Sequence, residues 1–196
     1  MPTRLFDMVD VRKAPPSDFD AVYRMLCDRT GDRDRDAVEA WYVEHPELFH
    51  GAYVDDALVG FTVGRARRED SVELVGIAVD DEYTRRGIGS RLLDAFETAA
   101  TDLGYERMSL GSAGGYVDEF YLANGYEPES ILVRLHPDDV PENYRELGFE
   151  ILRERVDDGV QKFYVTPGAH NPERVEAVRE AFGDPEAIYI VEKYLA

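Results

Sequence analysis

The chain has a single cysteine, Cys27, and only three lysines, Lys13, Lys162 and Lys193, among its 22 basic residues. One cysteine excludes an internal disulfide and is consistent with a reducing compartment. On an expected helix, Cys27 reads as a small buried hydrophobe rather than a nucleophile. No apolar run approaches the roughly 18 residues that a membrane-crossing helix needs, and no basic stretch leading into an apolar one opens the sequence. A soluble, cytoplasmic protein without membrane partners is therefore expected. The Gly-Lys-Ser/Thr loop of nucleoside triphosphatases is also missing. His45, His50, His136 and His170 show no metal-ligand spacing, so no metal site is expected. Repeats and low-complexity segments are absent as well.

What is plentiful is acid: 41 Asp and Glu against 22 Lys and Arg give a net charge of -19 at pH 7. Like-charge repulsion disfavours nucleic acid and anionic membranes as partners. An acidic chain whose basic residues are nearly all arginine stays hydrated where salt screens its self-repulsion. The composition reads as halophilic, with an ordinary acidic mesophilic protein as the alternative. General acidity is for the same reason a poor guide to substrate. With 196 residues, 44% hydrophobic and 11% aromatic, the chain can bury a sizeable core in one domain, with or without a small appendage.

Alternation from Phe6 to Val11 predicts a strand. Ser17 is the expected N-cap of a helix bearing Phe19, Val22 and Leu26 on one face. A second helix with Val38, Trp41 and Tyr42 ends near Pro46. Strands Leu48 to Val54 and Leu58 to Arg65 are joined at Asp55-Asp56 as a hairpin. The largely apolar strand Val72 to Val79 is expected to be buried on both faces. A helix from Gly87 to Leu103 carries the stripe Leu92, Leu93, Phe96, Ala99, Ala100 and Leu103, and Gly104 stops it. A strand from Arg107 to Gly111, a short helix Asp118 to Ala123 and an extended stretch Tyr126 to Leu135 follow. After a Pro- and Asp-rich linker from His136 to Pro141 comes a short helix near Asn143. Strands Phe149 to Glu154 and Val160 to Val165, a helix Pro172 to Phe182 capped by Asn171, and a strand Ile188 to Lys193 complete the chain.

The chemistry concentrates where strand Val72 to Val79 hands over to the long helix. Arg85 and Arg86 precede Gly87-Ile88-Gly89-Ser90. Glycines let backbone N–H groups approach a ligand without a Cβ in the way. The first turn of a helix leaves unpaired donors at a positive dipole end. This is a seat for a pyrophosphate, with two guanidinium groups at hand. A dinucleotide fingerprint would need a third glycine where Leu92 stands. A lone Gly-x-Gly turn that binds nothing remains the alternative on these residues alone.

The stretch Glu73-Leu-Val-Gly-Ile-Ala-Val79 followed by Arg85-Arg86-Gly87-Ile88-Gly89-Ser90-Arg91-Leu92-Leu93 resembles the acetyl-CoA signature of the GNAT superfamily of N-acetyltransferases. Phe120-Tyr121-Leu122-Ala123-Asn124-Gly125-Tyr126 resembles that family's second signature. The resemblance spans about Leu5 to Leu135. It implies an α/β (α+β) fold, a central mixed, splayed β-sheet flanked by helices over residues 1–135. Residues 136–142 are then a linker, and residues 143–196 a small α+β C-terminal extension. The implied activity is acetyl transfer from acetyl-CoA, as co-substrate, to a primary amine of a small-molecule or peptide acceptor. The family lays acetyl-CoA between its fourth and fifth strands. Backbone groups of Ile77 and Val79, with Ala78 between them, would bind the pantetheine, and the amides of Arg85, Arg86, Gly87, Ile88, Gly89 and Ser90 the pyrophosphate. Two positions depart from the pattern. Thr84 stands where Gln or Arg is usual, and Gly114 where many members carry Asn.

The resemblance also implies two catalytic roles. Tyr121 matches the general acid that protonates the departing thiolate; a core tyrosine is the alternative. Glu73 matches the catalytic base of some members, and by alternation it shares a face with Val75, Ile77 and Val79. A carboxylate inside an apolar strand is paired, at an edge, or functional, so a solvated strand start stays open, as does proton transfer through water. His50 borders the expected acceptor groove. Trp41 and Tyr42 lie near it in the family but at helical spacing also suit the core, and Tyr116 suits groove or core. The Asp-Arg run from Asp28 to Asp36 is read as a solvated loop. A non-catalytic CoA-sensing or scaffold module is the second functional reading. The exposed final strand that the pattern suggests favours a homodimer.

Overall fold

A computed structural model describes residues 9–195 of the chain; the start of the strand expected from Phe6 lies outside them. The chain forms two compact units. One holds the described residues up to Met108 together with Tyr194 and Leu195, the other Ser109–Lys193.

The first unit contains β1 (Val9–Lys13), α1 (Phe19–Thr30), α2 (Arg35–Glu44), β2 (Phe49–Val54), β3 (Ala57–Arg68), β4 (Ser71–Val79) and α3 (Ile88–Asp102). Strands β1 to β4 pair in sequence order, each antiparallel to the next. The β2–β3 turn is the expected Asp55-Asp56 pair, both residues at positive φ (49° and 63°), the mirror-image geometry that matches strand twist. Helix α1 departs from expectation at its start. A 3-10 turn over Pro16–Asp18 intervenes, so Asp18 rather than Ser17 is the N-cap, and it makes no side-chain cap bond.

Helix α3 buries Ile88, Leu92, Leu93, Phe96 and Ala100. Leu103 falls outside the stripe, 38% exposed, because the helix ends at Asp102 and Gly104 turns the chain at φ 87°. Two glycines of β3 clear the sheet for this helix. A Cβ on Gly64 would lie 2.2 Å from the Phe96 ring, and one on Gly60 3.1 Å from Leu92. Val9, Ala52, Val54 and Val59 join Ile88 and Leu92 in one cluster, with Ile77 and Val79 packed against it. Each Val, Ile or Leu of this kind contributes about 1.5–3 kcal/mol when fully buried.

Strand β4 carries a bulge. Val63 opposes Gly76 and Gly64 opposes Leu74, so Val75 is an extra residue. One inserted residue reverses the faces of everything beyond it. Ile77 and Val79 pack against the α3 cluster. Glu73, opposite Arg65, lies on the other face, where the Arg65 guanidinium sits 4.8 Å over the Trp41 ring of α2. The shared face expected for Glu73, Ile77 and Val79 is therefore broken. Nor is β4 buried on both faces: Val72, Leu74 and Gly76 are buried and the remaining six residues are half-buried.

The second unit contains most of β5 (Arg107–Ser112), then α4 (Tyr116–Ala123), β6 (Glu127–Leu135), β7 (Ile151–Asp157), β8 (Val160–Val165), α5 (Pro172–Ala181) and β9 (Glu186–Tyr194). Its strand order is β5-β9-β6-β8-β7. β6 is antiparallel to both β8 and β9, and β7 to β8. The β7–β8 turn is Asp158-Gly159, again at positive φ (52° and 74°). Asn171 caps α5 by accepting the Glu173 N–H at 2.9 Å, with Pro172 at the first helical position. The final strand is not exposed. β9 lies between β5 and β6, and the edge strand of this unit is β7, where Leu152 and Val156 are exposed.

Candidate functional site

The turn leading into α3 is built from local bonds. Asp80 N–H donates to Val59 O at 2.8 Å, and a 3-10 turn covers Asp81–Tyr83. Thr84 closes it, its hydroxyl donating to Asp81 O at 2.9 Å. Arg86 folds back over the same turn: its guanidinium donates to Glu82 O at 2.8 Å and lies 5.4 Å from the Tyr83 ring centroid. Arg85 and Gly87 are both at positive φ (58° and 74°). For an arginine that geometry is strained by roughly 1 kcal/mol or more. Left-handed residues alternating with an ordinary one turn successive N–H groups toward one concavity. Among the described residues, the next amide after Thr84 with a protein acceptor is that of Arg91, to Gly87 O at 3.1 Å. Helix α3 has neither a side-chain cap nor an acidic residue in its first turn. The amides of 85–90 thus form a cluster of donors with a positive dipole behind it.

The backbone of β4 adds a second set of polar groups. Alternate residues of an antiparallel strand turn their N–H and C=O toward the same neighbour. Asp80 bonds to β3, and a Cβ on Gly60 of β3 would lie 2.9 Å from Ala78 O. Ala78 therefore spends its backbone on β3, whereas Ile77 and Val79 turn theirs the other way.

Glu73 is held by two guanidinium groups. Its Oε2 accepts from Arg65 Nε at 2.8 Å and from Arg67 at 3.2 Å. Of the readings open for this carboxylate, it is paired. Tyr42 is half-buried: its hydroxyl donates to Ala14 O at 3.0 Å, and its ring meets Phe49 edge-on. His50 is buried beside Thr62, ring nitrogen to hydroxyl 3.3 Å, and burial, aided by the charge of Lys13, lowers its pKa to about 4. The Asp28 to Asp36 run is more than a solvated loop, because Asp34 caps α2 by accepting the Asp36 N–H. Tyr116, by contrast, is 80% exposed.

Tyr121 belongs to the second unit, on α4. It is 4% exposed, its ring packed edge-on against Phe120 and Tyr126. Burial pushes its phenol well above the ordinary range, so at neutral pH the hydroxyl holds its proton. One turn earlier on the same helix, buried Asp118 accepts from Ser112 Oγ at 2.5 Å and from His170 Nε2 at 2.9 Å. Sequence reasoning missed this trio. Among the described residues no group of His, Cys, Asp and Glu is arranged to hold a metal, and no helix is long and apolar enough to cross a membrane.

A model of the Acetyltransferase (GNAT) family matches residues 15–126. The uncharacterized N-acetyltransferase YvbK of Bacillus subtilis is 30% identical over 131 residues, covering 63% of this chain and 81% of that protein. The structure of Ard1 from Thermoplasma volcanium superimposes with a TM-score of 0.62 at 18% identity, over 96% of this chain and 99% of that one. Arabidopsis thaliana Naa50, solved in complex with the bisubstrate analogue CoA-Ac-MVNAL, gives a TM-score of 0.53 at 17% identity, over 95% and 98% of the two chains. The structural likenesses are of fold, and the fold is the α+β mixed-sheet architecture that the sequence resemblance implied.

Proposed function

The chain belongs to the acetyltransferase (GNAT) family and is an acetyl-CoA-dependent acyltransferase, and from that premise we propose an N-acetyltransferase that joins donor and acceptor in a ternary complex. The acceptor is a primary amine of a small molecule or peptide. The observation that carries the reading is the run of backbone amides at 85–90 without protein acceptors. The diphosphate of the donor would accept from these N–H groups, with Arg85 and Arg86 beside it. Ile77 and Val79 would offer the pantetheine the backbone groups that β3 does not use, while Ala78 contributes only its position between them.

In the reaction the amine nitrogen attacks the thioester carbonyl, the N–C bond forms, and the C–S bond breaks. The amine loses one proton and the thiolate gains one. Tyr121 is the proposed general acid, since burial keeps its phenol protonated and the proton is in place when the thiolate departs. Glu73 is the proposed acceptor of the amine proton. Its grip by Arg65 and Arg67 favours a second reading, in which it is a fixed anion that orients a water for that task. Glu73→Gln separates the two. A base loses most of its turnover, by about 100-fold or more, whereas an orienting anion loses roughly tenfold and leaves the pH profile in place.

The acidic, lysine-poor composition supports a cytoplasmic enzyme adapted to concentrated salt, and assays belong in molar KCl. Calorimetric titration with acetyl-CoA, together with thiol release from a panel of amines, tests the whole reading. No heat of binding at high salt would remove it.

A further inference from the structure

The strongest unexplained feature is the buried trio on the second unit. Asp118 is 3% exposed, and a carboxylate that deep is costly unless its oxygens are bonded. Both are: Ser112 Oγ–H serves Oδ1 at 2.5 Å and His170 Nε2 serves Oδ2 at 2.9 Å. An ionised carboxylate only accepts, so Nε2 carries the hydrogen. His170 is itself fixed. Its ring centroid lies 5.1 Å from that of Tyr189 on β9, and the Tyr189 hydroxyl donates to Asn171 O and accepts from Asn171 N–H, both at 3.1 Å.

The element at the other end of this chain of bonds needs holding. Helix α4 has eight residues and no side-chain cap, and it follows Gly114 and Gly115, both at positive φ (87° and 61°). A helix this short is marginal without outside contacts, and two glycines set little of its direction. Asp118 and Tyr121, three residues apart, lie side by side on it. Fixing Asp118 fixes the turn that presents the Tyr121 phenol. We propose that His170, in the loop before α5, is a positioning residue that acts through Asp118 to hold α4 and set the direction of the Tyr121 hydroxyl. The inference rests on the reading of Tyr121 as the general acid, and it gives the segment after residue 136 a part in the reaction.

The test is a double-mutant cycle on the full chain, with kcat, KM for acetyl-CoA and thermal midpoint measured for each variant. His170→Ala is expected to lower kcat about tenfold, a misplacement effect, while KM for acetyl-CoA stays within about twofold. His170→Gln, which keeps a donor for Asp118, is expected to recover most of kcat. In a Tyr121→Phe background, His170→Ala is expected to lower kcat by less than about twofold further, because residues that act as a unit are not additive. If the losses multiply instead, or if His170→Ala leaves kcat intact while Tyr121→Phe lowers it, the positioning role is overturned. Tyr121→Phe without effect on kcat overturns the acid reading itself, a separate result. Should His170→Ala fail to accumulate folded protein, His170→Asn, whose amide falls short of Asp118, takes its place in the cycle.

Discussion

Helices α3 and α5 begin in opposite ways. Helix α5 closes its first turn with its own chemistry, an Asn171 side chain on the Glu173 amide and a proline at the first position. Helix α3 begins on Gly87 with no side-chain cap and no acid in its first turn, directly after two arginines. The histidines repeat the contrast. His170 in the second unit has a carboxylate partner, whereas His50 in the first is buried beside the Thr62 hydroxyl. Polar groups completed from within serve the fold. Those left incomplete are either a liability, as His50 is in acid, or an invitation to a ligand.

That contrast can be broken at four points. The largest effect is expected from acid. His50 ionises near 6.5 in an unfolded chain and near 4 in the folded one. Its lowered pKa means that the unfolded state binds the extra proton first. The associated stability is complete above pH 6.5 and is lost as pH falls toward 4, by about 3 kcal/mol at one pKa unit per 1.36 kcal/mol. Denaturant titrations of His50→Gln against the unaltered protein between pH 4 and 7 isolate this share from that of the many carboxylates. Second, giving α3 the carboxylate it lacks, through Gly87→Asp, is expected to weaken acetyl-CoA binding at least about 100-fold, since it sets like charge against the diphosphate at a position where aspartate tolerates positive φ. Titration calorimetry checks it, with circular dichroism to confirm the fold. Third, Asn171→Ala is expected to lower stability by about 1 kcal/mol and leave acetyl-CoA affinity unchanged. A large affinity loss there would end the contrast. Last, Arg85→Gly is expected to change affinity by less than about threefold, because its amide does the binding and glycine adopts φ of 58° without strain. A larger loss would show that the guanidinium matters more than the backbone.

Much of the molecule was legible because its signals are local. The Asp55-Asp56 turn, the Asn171-Pro172 helix start and the glycine-flanked mouth of α3 each declare themselves within a few residues. The errors came where a distant contact or a register decided the outcome. Counting alternate residues put Glu73 on the face of Ile77 and Val79, and the extra residue Val75 reversed it. Gly76 was the available hint, since a glycine inside a strand marks a bulge or a close approach, here to Leu26. Ser17 looked like a cap because the 3-10 turn that contains it, Pro16–Asp18, has no separate signature. Asp118 and His170 are 52 residues apart, and nothing local links an acid in a short helix to a histidine in a later loop. The same holds for the final strand, whose interior position depends on partners chosen along the whole second unit.

The place of β6 carries a lesson for anyone shortening this gene. Residues 127–135 directly follow the span that the family model matches, and they are flanked on both sides by β8 and β9, which come from the last third of the chain. A stop codon after residue 142 would leave Ile131, Leu132 and Val133, now buried, on a ribbon with two raw margins. Self-association into insoluble material is the expected fate of such a fragment, not a leaner catalyst.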